Sequence, residues 1–413
     1  GGMICTGPAG NMKTEVRGAL EGSGSWTHQN SNAGNTLCSD DSAIKGPLSM
    51  FWFRDVDFEV PNRHGQGPAP LCHRGCMVVG GVDGIACLDA YNGRTKWIFE
   101  LEDNLTDFDG IHHDVGVGEA GGNFCLSDDA VFLKNGDRCL RIDLLTGKLL
   151  GEFKTPAKAG EKNRNWGFLA YQNGILFGSI QNEDHQVSPR YKLTKLRTES
   201  SRLFAMDAKT GDLKWQFDAE HSIRNNAIAV AGKKIFVIDR PLVETDHVEN
   251  PKRNGKHVKK LPAEEIPSGV LRAFDSESGK EMWRNDKEIF GTQLAASEAH
   301  STLMMNYEAV RHSFFALPSE TGGRLAGFDL ETGKPRWDHA AEYQTRPLIN
   351  DYTIYAQGGA WNLITGESVP FDFERSYGCG QISASKNLML FRSATLGYKD
   401  LTRDAGTENY GGI

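Results

Sequence analysis

Residues 203–215, Leu-Phe-Ala-Met-Asp-Ala-Lys-Thr-Gly-Asp-Leu-Lys-Trp, decide the fold of this chain. Two short apolar runs flank the turn Asp207-Ala-Lys-Thr-Gly211, and the first run alternates as a β-strand does. Asp207 can accept hydrogen bonds from amides of the turn, and Gly211 can adopt the left-handed conformation of a tight turn. Trp215 opens the returning strand with a large flat side chain that suits a neighbouring sheet. The stretch predicts a β-hairpin that cannot bury its own faces.

The same spacing from Asp or Asn to Gly recurs five more times. The further copies run from Asp89 to Gly93, Asp143 to Gly147, Asp275 to Gly279, Asp329 to Gly333 and Asn362 to Gly366. In three of them a Trp follows the Gly at the same distance as Trp215 follows Gly211. So many copies with one spacing exceed chance and indicate a repeat array, in which each unit packs on its neighbours.

With these motifs the chain resembles the PQQ-like β-propeller repeat family, which includes the quinoprotein dehydrogenases and an outer-membrane assembly lipoprotein. The resemblance covers roughly residues 65–400. It implies an all-β fold, a PQQ-like β-propeller with seven or eight four-stranded blades around a central channel. The motif is specific for the fold and says little about function.

A second hairpin recurs seven times and would supply the inner two strands of each blade. Its copies lie at residues 70–79, 123–132, 167–177, 226–236, 293–303, 346–355 and 380–390. We expect residues 1–47 to form a loop-rich segment and residues 48–413 to form the propeller, with a strand over 48–54 that closes the ring. The chain ends where another strand is due, so an incomplete last blade, completed by a second chain, stays open.

The composition of the chain limits the classes of protein to which it can belong. The chain of 413 residues has 47 Gly and 21 Phe, which suits many short strands and turns. A net charge of −8 argues against a nucleic-acid partner. No apolar run approaches the length of a membrane span.

The eight cysteines are concentrated in the first third of the chain, and only Cys379 stands near the end. An even number in a turn-rich protein predicts disulfides and a periplasmic or secreted location. The alternative is that several are small buried apolar residues.

Long insertions are confined to one face of the predicted disc. They lie at 103–120, 155–165, 180–200, 240–268, 285–291 and 306–322, in the two connections that share that face. Insertions restricted to one face of a repeat fold are typical of a binding face. Loop drift at tolerant surface sites is the alternative.

Each inner strand enters from that face, so the residues just before it should converge on the mouth of the channel. The candidate ligand-binding residues are Arg63, His64, Asn123, Trp166, Arg224, Asn225, Gln293, Arg346 and Tyr377. Arginine binds carboxylate, sulfate or phosphate, and aromatic rings stack on sugars, so we expect an anionic small molecule or glycan, or a protein partner. The alternative is that these arginines pair with acidic residues of neighbouring blades.

A loop between Gly110 and Gly122 carries the densest group of side chains that can bind a metal or transfer a proton. Its candidates for acid–base catalysis are His112, His113 and Asp114, and the same residues with Glu119 are candidates for holding a divalent metal. Adjacent residues of an extended chain point to opposite sides, so both imidazoles reach one ion only if the loop turns there. Simple hydrogen bonding or exposure is the alternative.

Two functions follow from these observations. The first is an extracytoplasmic propeller whose loop-rich face binds an acidic glycan or a protein. The second is a carbohydrate-active enzyme of the polysaccharide-lyase type, in which Arg neutralises a uronate and His or Tyr removes the adjacent proton. The resemblance also implies PQQ-dependent oxidation, but those enzymes place an adjacent Cys-Cys disulfide beside the cofactor. This chain has neither a Cys-Cys pair nor an evident Trp floor, so we expect no PQQ.

Overall fold

A computed structural model describes residues 3–16, 20–55, 57, 59–60, 67–105, 121–156, 158, 160–162, 164–182, 198–242, 262, 265–307, 323–373, 375, 380–393, 395–403 and 406–409. Strands β1 to β29 are the regular elements of these residues. No helix in this part of the chain is long and apolar enough to span a membrane. The all-β fold predicted from the repeats is therefore confirmed.

The strands follow one another in chain order. A hairpin of β1 (Met3–Thr6) and β2 (Lys13–Val16) comes first. Blade 1 is β3 (Leu71–His73), β4 (Cys76–Gly81), β5 (Gly84–Asp89) and β6 (Thr95–Glu100), and blade 2 is β7 (Phe124–Leu126), β8 (Ala130–Asn135), β9 (Arg138–Asp143) and β10 (Leu149–Lys154). Blades 3 and 4 are β11 (Trp166–Gln172), β12 (Ile175–Gln181), β13 (Glu199–Asp207), β14 (Leu213–Ala231), β15 (Lys234–Asp239), β16 (Val270–Asp275) and β17 (Glu281–Asn285).

The remaining strands complete three further blades. Blade 5 is β18 (Gln293–Ser297), β19 (Thr302–Asn306), β20 (Arg324–Asp329) and β21 (Pro335–Ala340), and blade 6 is β22 (Leu348–Asn350), β23 (Thr353–Ala356), β24 (Gly359–Asn362) and β25 (Ser368–Val369). Blade 7 is β26 (Ser383–Ala384), β27 (Leu388–Ser393), β28 (Thr395–Asp400) and β29 (Glu408–Asn409).

Each blade is an antiparallel meander, and the described residues form seven blades. Strand β14 has 19 residues and joins two sheets, because its first half is the outer strand of blade 3 and its second half is the inner strand of blade 4. All seven inner hairpins and all six Asp/Asn-to-Gly turns predicted from the sequence are formed. Within the described residues, the choice between seven and eight blades is thus resolved as seven.

The turn at residues 207–211 has the expected geometry. Asp207 Oδ1 accepts hydrogen bonds from the backbone N–H groups of Lys209 and Thr210, both at 2.9 Å. These bonds lower the pKa of Asp207. Gly211 has a φ of +77°, a conformation that a residue with a side chain rarely adopts.

Trp215 packs on the equivalent turn of the next blade. Its Nε1 donates to the Ser276 carbonyl at 2.8 Å, and a Cβ at Gly279 would lie 2.5 Å from the indole. The Gly of the turn therefore serves both the backbone conformation and the close approach of the ring. The same relationship joins blade 1 to blade 2, blade 4 to blade 5 and blade 5 to blade 6 through Trp97, Trp283 and Trp337.

The apolar core lies between successive blades. In the described residues, six buried clusters fill the junctions from blade 1–2 to blade 6–7. Trp26 packs against both the first and the last of these clusters, so the N-terminal segment bridges blades 1 and 7. Burial of apolar side chains between sheets is the main stabilisation of such an array.

Residues 26–39, which we call the clasp, lie at one end of the channel and contact the seven blades in order. The inner strand of a blade has a free edge, and each of the seven donates one backbone N–H to the clasp at 2.8–3.0 Å. The donors are Cys72, Leu126, Tyr171, Val230, Ala296, Ile349 and Ala384. The clasp thereby pairs strand edges that would otherwise face the channel.

The prediction of a strand over residues 48–54 is wrong, because this stretch has no regular secondary structure. The fourth strand of blade 7 comes instead from Glu408–Asn409. Trp52 nevertheless joins the array, since its Nε1 donates to the Ala90 carbonyl at 3.0 Å in the turn of blade 1. The domain division at residue 47 stays a prediction.

The disulfides expected from the cysteine count are not formed by the seven cysteines that the structure describes, and Cys379 lies outside the described residues. The described thiols are Cys5, Cys38, Cys72, Cys76, Cys87, Cys125 and Cys139. Five of them are buried, as small apolar residues would be. Burial raises the pKa of Cys72 to about 11 and of Cys38 to about 12.

Candidate functional site

The predicted mouth lies at the end of the channel opposite the clasp. The clasp contacts the last residues of the inner strands, whereas the candidate residues begin or precede these strands. Those that the structure describes are Asn123, Trp166, Arg224, Asn225, Gln293 and Arg346, and all six are buried. The candidates Arg63, His64 and Tyr377 lie outside the described residues. The described strand ends that flank the predicted insertions also lie at this end.

Asn225 belongs to a buried chain of hydroxyl groups beside the channel. The Phe168 backbone N–H donates to Ser179 Oγ at 2.6 Å, which leaves the Ser179 hydroxyl to donate to Ser200 Oγ at 2.7 Å. Ser200 Oγ then donates to Asn225 Oδ1, also at 2.7 Å. The chain fixes the amide of Asn225, because its oxygen must face Ser200.

Arg224 has a buried carboxylate as its neighbour. Its Nε lies 3.5 Å from Oε1 of Glu199, the residue opposite it on strand β13, and the Glu199 side chain is fully buried. Ser222 Oγ donates to the other oxygen of Glu199 at 3.1 Å, and Asn182 Nδ2 donates to Ser222 Oγ at 3.0 Å. Glu199 belongs to blade 3 and Arg224 lies where the inner strand of blade 4 begins, so Arg224 has the position expected of an arginine that pairs with an acidic residue of a neighbouring blade.

Arg346 connects blades 5 and 6 at the mouth. Its guanidinium donates from NH2 to the Leu294 carbonyl at 3.1 Å, and the side chain is only 3% exposed. Gln293 lies beside Leu294 and accepts at Oε1 a hydrogen bond of 2.5 Å from Asn306 Nδ2. A second guanidinium is thus held at the same end of the channel as Arg224 by contacts with the inner strand of blade 5.

Two buried amide oxygens of the mouth accept no hydrogen bond within the described residues. They are Oδ1 of Asn123, at the start of blade 2, and Oδ1 of Asn306, beside Gln293 in blade 5. Buried polar atoms normally have a partner in the protein or in water. These two acceptors therefore suit water or a ligand that donates hydrogen bonds.

Trp166 does not offer its face to the channel. Its ring packs in the core between blades 2 and 3, with a centroid 4.9 Å from that of Phe204 in an edge-on arrangement. A Cβ at Gly178 would lie 2.3 Å from the ring, which shows how closely the strand passes. The stacking role predicted for Trp166 is therefore not supported by its position.

The acid–base and metal candidates His112, His113, Asp114 and Glu119 lie outside the described residues, so these predictions stay open. Within the described ranges, no group of three or more His, Cys, Asp or Glu side chains is arranged to hold a metal. The quinoprotein cofactor does not fit the residues in hand, because the sequence has no Cys-Cys pair and Trp166 is turned into the core.

Sequence reasoning missed Glu199 and Arg240. Arg240 follows strand β15, is 2% exposed, and its backbone N–H donates to the Ser222 carbonyl at 2.9 Å. Both residues lie in the insertions 180–200 and 240–268, where no periodic pattern marks a buried position. For Arg240 the sequence does offer one indication, because this residue directly follows a strand of buried residues and is the first residue of its insertion.

A hydrogen-bonded Ser–His–Asp group on the clasp face was also not predicted from the sequence. His73 Nδ1 lies 2.9 Å from Ser25 Oγ, and Nε2 lies 2.9 Å from Asp128 Oδ1. His300 and Asp351 form the same bridge between blades 5 and 6 at 2.7 Å. The recurrence indicates a structural bridge between adjacent blades.

Comparison with known proteins shows which proteins have a similar fold. A family model described as outer membrane protein assembly factor BamB matches residues 138–360. Quinohemoprotein alcohol dehydrogenase from Comamonas testosteroni is similar with a TM-score of 0.56 at 13% identity, over 93% of this chain and 72% of that one. A europium-containing methanol dehydrogenase gives 0.52 at 12% identity, over 91% and 89%.

BamB from Moraxella catarrhalis gives a TM-score of 0.44 at 14% identity, over 82% of this chain and 81% of that one. No curated protein sequence matches the chain. Likeness at such low identity shows the fold alone. The family model, however, spans more than half of the chain, and this chain therefore belongs to the PQQ-like β-propeller family described by outer membrane protein assembly factor BamB.

Proposed function

We propose that this chain is a binding propeller whose channel mouth, at the loop-rich face, holds an anionic ligand such as an acidic sugar of a glycan. The observation that carries the proposal is the placement of Arg224 and Arg346 in different blades at one end of the channel, with the clasp across the other end. A guanidinium held by buried contacts is pre-organised for a carboxylate.

The amide groups support a ligand that also carries hydroxyl groups. Asn123 Oδ1 and Asn306 Oδ1 are buried acceptors, and a hydroxyl of a sugar can donate to such an oxygen. Arginine for the carboxylate and amide oxygens for hydroxyl groups together match a uronate better than a simple inorganic anion. A protein partner that presents an acidic side chain is the other ligand that this charge pattern favours.

Calorimetric titration with D-glucuronate, against D-glucose as the uncharged match, tests the proposal. We expect glucuronate to bind and glucose not to bind, and the affinity to fall as salt rises, because the interaction is between charges. Arg346→Gln should weaken binding at least tenfold, whereas Arg138→Gln on an outer strand of blade 2 should leave it unchanged. Equal behaviour of the two sugars would contradict an anion site.

We also propose an extracytoplasmic location, in keeping with a family described by an outer membrane protein assembly factor. Fractionation of the cells that produce the protein, with a cytoplasmic marker beside it, tests the location. Recovery with the cytoplasmic marker would contradict it, and the free thiols of the described cysteines would then be expected in that reducing compartment.

A further inference from the structure

Blade 3 contacts the clasp differently from the other six blades. The other inner strands donate their N–H to backbone carbonyls of the clasp. On β11 the Tyr171 N–H instead donates to Nε2 of the His28 side chain, at 3.0 Å. A backbone carbonyl is not protonated between pH 4 and 8, whereas an imidazole has an ordinary pKa of about 6.5. This one contact therefore depends on pH.

His28 must be neutral to make this contact. Because Nε2 accepts the Tyr171 N–H, the proton of the ring lies on Nδ1, which is 2.8 Å from Thr27 Oγ1. The side chain is buried, at 7% exposure, and burial lowers the pKa of His28 to about 4. A proton on Nε2 would set two N–H groups against each other and bury a charge.

The elements around His28 carry few charged groups. On β11 the titratable neighbour is Tyr171 itself, whose hydroxyl accepts the Gly174 N–H. Asp128 and Asp129 in the turn of blade 2, and the buried Cys125 thiol of β7, act electrostatically on Tyr171. Asp128 is bonded to His73, and in the described residues the ring nitrogens of His28 bond only to Thr27 and Tyr171.

The clasp is held in a conformation that its own sequence does not favour. Ser31 and Leu37 have φ values of 81° and 53°, in the left-handed region that costs about 1 kcal/mol or more for such residues. Its contacts with the blades must offset this cost. Loss of one contact therefore favours local opening of the segment.

We propose that residues 26–39 are an acid-sensitive clasp, which closes one end of the channel while His28 is neutral and opens locally when His28 is protonated. The first part to open is the stretch 27–31, because His28 and Ser31 also bond to each other through their backbones at 3.0 and 3.2 Å. This device lies at the end opposite the proposed ligand site and does not depend on it.

Hydrogen exchange of single amides measures clasp opening directly. The intact protein is followed at pH 7.5, 6.5, 5.5 and 4.5, and the rates are corrected for the intrinsic pH dependence of exchange. The opening constant of the Tyr171 amide should rise below pH 6.5 with a slope that approaches tenfold per pH unit, about 70-fold between pH 7.5 and 4.5, because opening restores the ordinary pKa of His28. The Ala205 amide, inside blade 3 between β12 and β14, should show no such rise.

His28→Gln is the decisive variant, since an amide oxygen can accept the Tyr171 N–H and does not titrate. It should abolish the pH dependence, whereas His300→Gln on the same face should retain it. A pH-independent Tyr171 amide in the natural protein, or the same slope in His28→Gln, would overturn the proposal. So would an equal slope at Ala205, which would show global unfolding.

If His28→Gln fails to fold, the imidazole of His28 is titrated by NMR in the natural protein. A folded-state pKa close to 4 supports the clasp, and a pKa of 6 or above overturns it.

Discussion

The indole of Trp52 lies on Gly93 in the turn of blade 1, as an aromatic ring of the preceding blade does at the equivalent turns. A Cβ at Gly93 would come within 2.6 Å of the ring, as close as the tryptophans of the array come to the glycines of their neighbours. At the equivalent glycines of blades 2 to 6 the aromatic ring belongs to the preceding blade, but here it comes from the N-terminal segment. A residue far outside the repeats thus completes their pattern.

We therefore expect Trp52→Ala to destabilise the propeller by about 2 kcal/mol, from lost burial and the lost bond to the Ala90 carbonyl. Phe53→Ala is the matched control, because Phe53 is 74% exposed and should change stability by less than about 0.5 kcal/mol. Urea unfolding of both variants measures the difference. Equal loss in the two would mean that the contacts of Trp52 with the turn of blade 1 do not stabilise the propeller.

Gly279→Ala tests the packing of Trp215 separately from backbone strain. Gly279 and Gly174 both have positive φ, 68° and 82°, but only Gly279 has a ring within 2.5 Å of a new Cβ, whereas Gly174 has open space around it. We expect Gly174→Ala to cost about 1 kcal/mol and Gly279→Ala about 3 kcal/mol or more. Similar values for both variants, measured by thermal unfolding, would show that conformation alone selects Gly at residue 279.

Most of the architecture could be predicted because it depends on short sequence patterns that recur along the chain. The bonds of Asp207 to its turn and the contact of Trp215 with the next turn depend on fixed short spacings, so their recurrence revealed the propeller. The inner hairpins follow from the alternation of apolar residues. Only the strand at 48–54 failed, because Trp52 and Arg54 alternate with exposed residues as in a strand although no partner strand lies beside them.

The clasp and the details of the mouth could not be predicted in this way. The clasp has no apolar period, and most of its contacts with the inner strands are backbone hydrogen bonds with residues far along the chain, as from the Ala384 N–H to the Leu37 carbonyl. Glu199 fell in an insertion without a pattern, so its pairing with Arg224 was visible only in the structure. Trp166 was placed correctly along its strand, but the sequence could not give the direction of its ring.

Asp400 ties the N-terminal segment to blade 7 and gives stability a dependence on acid. Burial alone would raise the pKa of this carboxyl, but hydrogen bonds from Thr402, Arg403 and the Gly46 backbone N–H lower it to about 2. The folded pKa lies below the unfolded value of 3.8, so the stabilisation is present above pH 3.8 and is lost as pH falls toward 2.

Asp400→Asn should remove about 2 kcal/mol of stability at pH 7 and less at pH 2.5, because the natural protein has lost part of the contribution there. Urea unfolding at the two pH values measures the difference. A loss that is the same at both would assign the effect to packing rather than to the charge of Asp400.

The pairing of Arg224 with Glu199 changes how the mouth must be tested. Arg224→Met alone leaves the fully buried Glu199 carboxylate without its guanidinium, so we expect the free energy of unfolding to fall by about 3 kcal/mol. Weaker ligand binding by this variant could then result from the loss of stability rather than from loss of the site. In the double variant Arg224→Met, Glu199→Leu, most of the stability should return, since an apolar pair can replace a buried ion pair. Glucuronate titration of that stable double variant then reports on the site itself. Binding as strong as in the natural protein would assign Arg224 a purely structural role and leave Arg346 as the guanidinium of the ligand site.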